Sequence, residues 1–93
     1  MMVTSSVSLT PEMVAERMEE AERLYDSLDY GELVPVILEV LGAEGVDDDT
    51  MIRAYFLHGA ALAVMGATVE AEQPFRLLLG LDPDFDPIDH EPE

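Results

Sequence analysis

The sequence contains no cysteine, no lysine and no tryptophan, and it has only two histidines among its 93 residues. Without cysteine there can be no disulfide framework, no thiolate zinc site and no cysteine nucleophile. Nothing in the composition therefore ties the chain to an oxidising or a reducing compartment. The chain also lacks a run of about 18 apolar residues, the length that a membrane-spanning helix needs.

The first residues of the chain, MMVTSSVSL, lack the basic start and the long apolar core of a signal peptide. We therefore expect a cytoplasmic protein with a flexible N-terminus over residues 1–9. A length of 93 residues predicts one small domain. Such a domain buries only about 60–65% of the surface of its unfolded chain, so its stability depends on tight packing or on a partner.

The charge of the chain is strongly one-sided, with 21 acidic residues against four arginines and a formal net charge of −17. Such a field repels phosphate backbones and anionic membrane surfaces, and it attracts basic proteins and peptides. We therefore expect neither a direct nucleic-acid partner nor a membrane partner. Two explanations of the acidity stay open, namely recognition of a basic ligand and a solvated surface typical of a high-salt or high-GC proteome.

Apolar residues recur at helical spacing in four segments, and no segment alternates in the manner of a half-buried strand. Thr10 followed by Pro11 predicts a capped helix start, and a break is predicted at DYGE, residues 29–32. These patterns predict an all-α fold of two antiparallel helical hairpins over residues 10–82.

Glycine and aspartate predict where the middle helices end and begin. The second helix is predicted to stop near Gly42, and residues 42–50 then form a loop whose aspartates cap the third helix. The third helix is predicted to end at Gly66. Because the second helix is nearly all apolar, we expect it to be the central one.

The two hairpins resemble each other at a fixed separation. DYGEL at residues 29–33 opens the second helix as ATVEA at residues 67–71 opens the fourth, and matching residues differ by 71 − 33 = 38. The second hairpin contains, within residues 54–84, the spaced residues Tyr55, Gly59, Leu62, Ala71, Phe75 and Pro83. Through these residues the segment resembles a tetratricopeptide repeat, whose period is about 34 residues. The resemblance implies a tetratricopeptide-like fragment of an α-α superhelix.

In tetratricopeptide repeats, ligands lie along a concave face that the first helix of each hairpin forms. The resemblance therefore implies a groove for a basic or amphipathic peptide or protein, because this face offers mainly acids and aromatics. The implied partner-binding residues are Met18, Glu19, Glu22, Tyr25, Asp26, Arg53, Phe56, Ala60 and Val64. Met18 and Phe56 have a second interpretation as ordinary core residues.

The end of the chain, LDPDFDPIDHEPE, has the acid spacing of a calcium-binding loop. Its carboxylates occupy the first, third, fifth and twelfth places of an EF-hand loop: Asp82, Asp84, Asp86 and Glu93. Pro87 stands where the loop needs a flexible turn, and no exiting helix follows to deliver the last carboxylate. We therefore expect no metal site and interpret residues 83–93 as an acidic, proline-containing tail.

No residues are arranged in a pattern typical of catalysis. The two histidines are His58, on the third helix, and His90, in the tail. There is no phosphate-binding glycine loop and no pair of histidines four residues apart. We therefore expect no enzyme activity and no cofactor.

Two other functions stay open beside the peptide-binding module. One is a small chaperone-like or scaffold subunit of a bacterial assembly or secretion machine, and the other is an acidic inhibitor that imitates nucleic acid. Self-association is a further prediction, because leucines cover much of the last helix and a terminal repeat usually turns a polar face to water. The candidate homodimer face consists of Leu77, Leu78, Leu79 and Leu81. Alternatively, Phe85 and Ile88 fold the tail back over these leucines.

Overall fold

The computed structural model describes residues 10–85, and within this range the chain forms four helices and no strand. The helices are α1 (Pro11–Asp26), α2 (Tyr30–Leu41), α3 (Asp48–Val64) and α4 (Thr68–Leu81). The predicted all-α fold of helical hairpins is confirmed. The predictions for residues 1–9 and for residues 86–93 lie outside the described residues.

The first helix begins where the sequence predicts it. The Thr10 hydroxyl accepts a hydrogen bond from the Met13 backbone N–H at 3.2 Å, which satisfies one donor that the first turn leaves without a partner. Pro11 occupies the first helical position, where its missing N–H removes no helical hydrogen bond.

The two hairpin turns share one backbone conformation. After α1, the N–H of Leu28 donates to the carbonyl of Tyr25 and the N–H of Asp29 donates to the carbonyl of Leu24. The same pair of bonds follows α3, 38 residues later, and both turns are therefore Schellman motifs. The left-handed position is Leu28 at φ 66° in the first turn and Gly66 at φ 91° in the second. The 38-residue repeat is thus present in the backbone as well as in the sequence.

Two predicted boundaries need correction. The chain breaks at residues 27–29, and Tyr30 already belongs to α2, because the Schellman turn ends α1 earlier than the glycine at residue 31 suggests. The predicted loop at residues 42–50 is shorter, because α3 begins at Asp48. Asp47 occupies the N-cap position, but its side chain makes no capping hydrogen bond.

The central helix is α3 and not α2 as expected, because α3 contacts all three other helices. In contrast, α2 contacts α1 and α3, and α4 contacts only α3. The main core joins α1, α2 and α3 through nine residues: Val14, Met18, Ala21, Leu33, Ile37, Val40, Ala54, Leu57 and Ala61. The apolar sequence of α2 does not make it central, because part of its apolar surface remains exposed.

The hairpin of α3 and α4 depends on one close approach. Gly59 is buried, and a Cβ atom added to it would lie 2.7 Å from Cε1 and from Cζ of Phe75. A side chain larger than a hydrogen atom at residue 59 would therefore require the Phe75 ring to move. The helices run without interruption through Pro35 in α2 and Pro74 in α4. Within residues 10–85, no helix is long and apolar enough to cross a bilayer.

Candidate functional site

An open pocket of about 400 Å³ lies at the N-terminal ends of α1 and α3. These two helices contact each other, and the loop between α2 and α3 forms the third wall. Twelve residues line the pocket: Pro11, Val14, Ala15, Met18, Glu19, Glu22, Glu44, Gly45, Val46, Asp47, Thr50 and Arg53. We call this site the acidic pocket.

Four of the nine predicted groove residues meet in the acidic pocket. They are Met18, Glu19, Glu22 and Arg53. Met18 is almost fully buried and belongs to the core, so its interpretation as a core residue is correct, although it also lines the pocket. Glu19 is exposed, and the carboxylate of Glu22 forms an ion pair with the guanidinium of Arg53. The ion pair links α1 to α3 across the pocket.

The lining of the acidic pocket carries an excess of negative charge. Its carboxylates belong to Glu19, Glu22, Glu44 and Asp47, and its one cation, Arg53, is already paired with Glu22. Pro11, Ala15 and Val46 supply most of the accessible apolar surface between these charges, because Val14 and Met18 are almost fully buried. An arginine or lysine side chain therefore finds an apolar wall for its methylene groups and carboxylates for its cationic end.

The sequence prediction missed the part of the pocket that the α2–α3 loop contributes, chiefly Glu44, Val46 and Asp47. The length of the repeat could have indicated these loop residues. The 38-residue separation exceeds by about four residues the period of the tetratricopeptide repeats that the sequence resembles, and the loop at residues 42–47 holds this excess. Since α1 and α3 are the matching first helices of the two hairpins, the loop that precedes α3 lies beside the start of α1.

The other five predicted groove residues do not line the acidic pocket. Tyr25 packs edge to face against Tyr30, with ring centroids 5.7 Å apart, and Asp26 is exposed at the end of α1. Ala60 is half-buried and Val64 is exposed.

Phe56, the fifth of these residues, belongs to an aromatic cluster. Its ring centroid lies 6.4 Å from that of Phe75 and 5.8 Å from that of Phe85. The backbone N–H of Phe85 also donates to the carbonyl of Asp82 at 3.0 Å, so the chain turns back after α4 and Phe85 covers Phe56. Phe56 is therefore a packing residue and not an open wall of a groove.

The four leucines of the predicted dimer face do not form one surface. Leu78 is 1% exposed and lies in the core, so this part of the prediction is wrong. Leu77 and Leu79 are each 46% exposed, but two residues along a helix turn a side chain by about 200°. They therefore point to opposite sides of α4, and only Leu77 faces the groove described next. Leu81 is 40% exposed.

A second, apolar groove of about 540 Å³ lies between α2 and α4, which do not contact each other. Nine residues line it: Leu38, Leu41, Tyr55, His58, Leu62, Glu70, Gln73, Pro74 and Leu77. We call it the α2–α4 groove. Partial burial lowers the pKa of His58, because desolvation disfavours the imidazolium.

Within residues 10–85, no three histidine or acidic side chains are grouped closely enough to hold a metal ion. Asp82 uses its carboxylate to accept a hydrogen bond from the N–H of Asp84 at 3.2 Å, a local turn. Arg17 donates from Nε to Glu39 at 2.7 Å, and this hydrogen bond raises the pKa of Arg17.

No protein-family model matches the chain, and neither a curated protein nor a solved structure is found to be similar to it.

Proposed function

We propose that this chain is a non-catalytic protein-interaction module that binds a basic segment of a partner protein in the acidic pocket. A single observation carries the proposal: four carboxylates and one already paired guanidinium surround a pocket with apolar walls. The net charge of −17 adds a long-range attraction that accelerates the encounter with a basic partner.

The proposed architecture for this binding is a tetratricopeptide-like fragment. Two features support it: the residues at Tyr55, Gly59 and Phe75 that resemble the repeat, and the common turn conformation of the two hairpins. In this architecture the partner contacts the first helices of the hairpins, α1 and α3. Both helices line the acidic pocket.

A fluorescence-anisotropy experiment tests the proposal with a labelled peptide of alternating arginine and leucine. Glu19→Gln and Glu44→Gln together remove two pocket carboxylates, neither of which has an ion-pair partner among the described residues. Each removed charge should weaken binding by roughly two- to fivefold, as expected for partly solvated ion pairs. The double variant should therefore bind roughly 4- to 25-fold more weakly.

Glu16→Gln provides the matched control, because Glu16 is an exposed acid on the same helix that does not line the pocket. It should change the affinity by less than about twofold. Equal losses for Glu16→Gln and Glu19→Gln would mean that the peptide responds only to the net charge of the chain. The proposed pocket would then be wrong.

A second candidate function, an assembly or chaperone-like subunit, is favoured by the α2–α4 groove. Leu38 is 50% exposed on one wall of this groove, and Leu77 is exposed to a similar extent on the other. Chaperones and scaffolds hold apolar segments of their clients on surfaces of this kind. Recovery of one assembly client whose binding is abolished by Leu38→Glu would support this function.

A further inference from the structure

Because the two hairpins repeat at a separation of 38 residues, the groove residues on α3 and α4 have equivalent residues on α1 and α2. Arg17 of α1 and Glu39 of α2 form an exposed ion pair there, at 2.7 Å. The residues 38 positions later are Tyr55 of α3 and Leu77 of α4, and both line the groove. A solvent-exposed ion pair in one hairpin is therefore replaced in the other by a tyrosine and a leucine, neither of which is charged.

Core packing alone does not explain this replacement. Leu77 remains 46% exposed, and the facing wall contributes Leu38, which is also exposed. Leucines on both walls thus face an open space that the fold leaves between α2 and α4. Core packing accounts for Leu78, whose side chain is buried, but not for its exposed neighbour.

The shape and charge of the groove indicate what occupies it. Its α4 wall extends from Glu70 to Leu77, eight residues with a rise of about 10 Å, which matches two turns of an α-helix. Glu70 is the one acidic residue in the lining, at one end of this wall. A second copy of the chain is a poor occupant, because it would bring a charge of −17 against an equal charge.

We propose that the α2–α4 groove docks an amphipathic helix of a partner protein, whose apolar stripe packs between Leu38 and Leu77 and whose cationic flank meets Glu70. The interaction is of the helix-in-groove kind, with anchor residues spaced over about two turns. This surface is distinct from the acidic pocket: Arg53 of α3 lines that pocket, whereas Tyr55, about 200° further around α3, lines the groove.

The probe for this proposal is a fluorescein-labelled leucine–lysine peptide of about 14 residues, with leucine on one helical face and lysine on the other. A scrambled peptide of the same composition lacks the apolar face. Anisotropy is measured with the full chain in about 0.15 M salt, so that long-range attraction is screened. We expect the amphipathic peptide to bind roughly tenfold more tightly than the scrambled one. Equal affinity of the two peptides, or no binding, would overturn the proposal.

Leu77→Glu and Leu79→Glu form a matched pair of variants. Both leucines lie on α4 with the same exposed fraction and receive the same charge, but only Leu77 lines the groove. Leu77→Glu should weaken peptide binding roughly tenfold or more, because a carboxylate enters the apolar contact. Leu79→Glu should change it by less than about twofold. Equal effects of the two substitutions would contradict the groove assignment.

Two further measurements keep the result interpretable. Leu38→Glu changes the opposite wall on a different helix, so it should reproduce the loss of binding even if Leu77→Glu lowers the helicity of α4. Sedimentation equilibrium of the wild-type chain without peptide should give a monomer. A dimer that Leu77→Glu dissociates would show that a second copy occupies the groove, and it would overturn the proposed partner helix.

Discussion

The close packing of α3 against α4 can be tested by substituting Gly59, because the geometry at this residue sets the expected change in the free energy of unfolding. An added Cβ atom would lie 2.7 Å from two ring carbons of Phe75, whereas carbon atoms in contact are about 3.5–4.0 Å apart. The ring must therefore move by about 1 Å. Overpacking of this kind typically costs about 1–3 kcal/mol.

The gain in helix propensity partly offsets this cost. Replacing glycine by alanine inside a helix stabilises it by about 0.5–1 kcal/mol. We therefore expect Gly59→Ala to lower the free energy of unfolding by about 0–2.5 kcal/mol. A domain of this length has a free energy of unfolding of about 5–14 kcal/mol, so the variant should still fold. Gly59→Leu adds three more heavy atoms against the ring and should leave little folded protein.

Urea denaturation followed by circular dichroism measures this effect, and the control is Gly80→Ala. Gly80 lies in α4, and a Cβ atom there would meet nothing within 4 Å, so only the propensity gain remains. Gly80→Ala should therefore stabilise the fold by up to about 1 kcal/mol. In a chain that carries Phe75→Ala, Gly59→Ala should also become stabilising. The packing argument is refuted if Gly59→Ala stabilises the wild type as much as Gly80→Ala does.

Three more predictions concern the turns, a histidine and the charge. Leu28→Gly should raise the free energy of unfolding by about 1 kcal/mol because glycine relieves the left-handed conformation, and Gly66→Leu should lower it by a similar amount in the same denaturation assay. The pKa of His58 is lower in the folded state than in the unfolded state. Its contribution to stability is therefore complete above pH 6.5 and is lost as the pH falls through the folded pKa. The difference in melting temperature between wild type and His58→Gln should change between pH 7.5 and pH 5, and a constant difference would contradict this. The melting temperature should rise with sodium chloride concentration because salt screens the repulsion within a chain of charge −17, and a falling melting temperature would contradict this.

Local signals in the sequence were sufficient to predict most of the fold. Thr10 and Pro11 mark the start of α1, and Gly66 marks the end of α3, because capping chemistry depends on neighbouring residues alone. The first hairpin turn was misplaced because a leucine, Leu28, takes the left-handed position that usually reveals itself as glycine. The shorter loop before α3 was missed because Asp48 and Asp49 are poor helix formers that the first turn nevertheless favours.

The candidate site was harder to predict because it depends on which helices lie side by side. Periodicity identifies Phe56 as apolar, but only the packing of Phe75 and Phe85 around it shows that it does not line an open groove. Conversely, Glu44 stands in a loop with no periodicity, and its place in the pocket follows from the path of the chain between two hairpins. The leucines of α4 are indistinguishable in sequence, although one is buried and its neighbours are exposed.

The most direct test of the acidic pocket is a nuclear magnetic resonance titration of the isotope-labelled full chain with the arginine–leucine peptide. The proposal predicts saturable shifts of the backbone amides at Glu19, Gly45 and Thr50, which line three different walls of the pocket. In Glu19→Gln combined with Glu44→Gln, the same shifts should need roughly 4- to 25-fold more peptide to reach half-saturation. Shifts that scatter over acidic residues outside the pocket, such as Glu16 and Glu32, without saturation would contradict the proposed binding site.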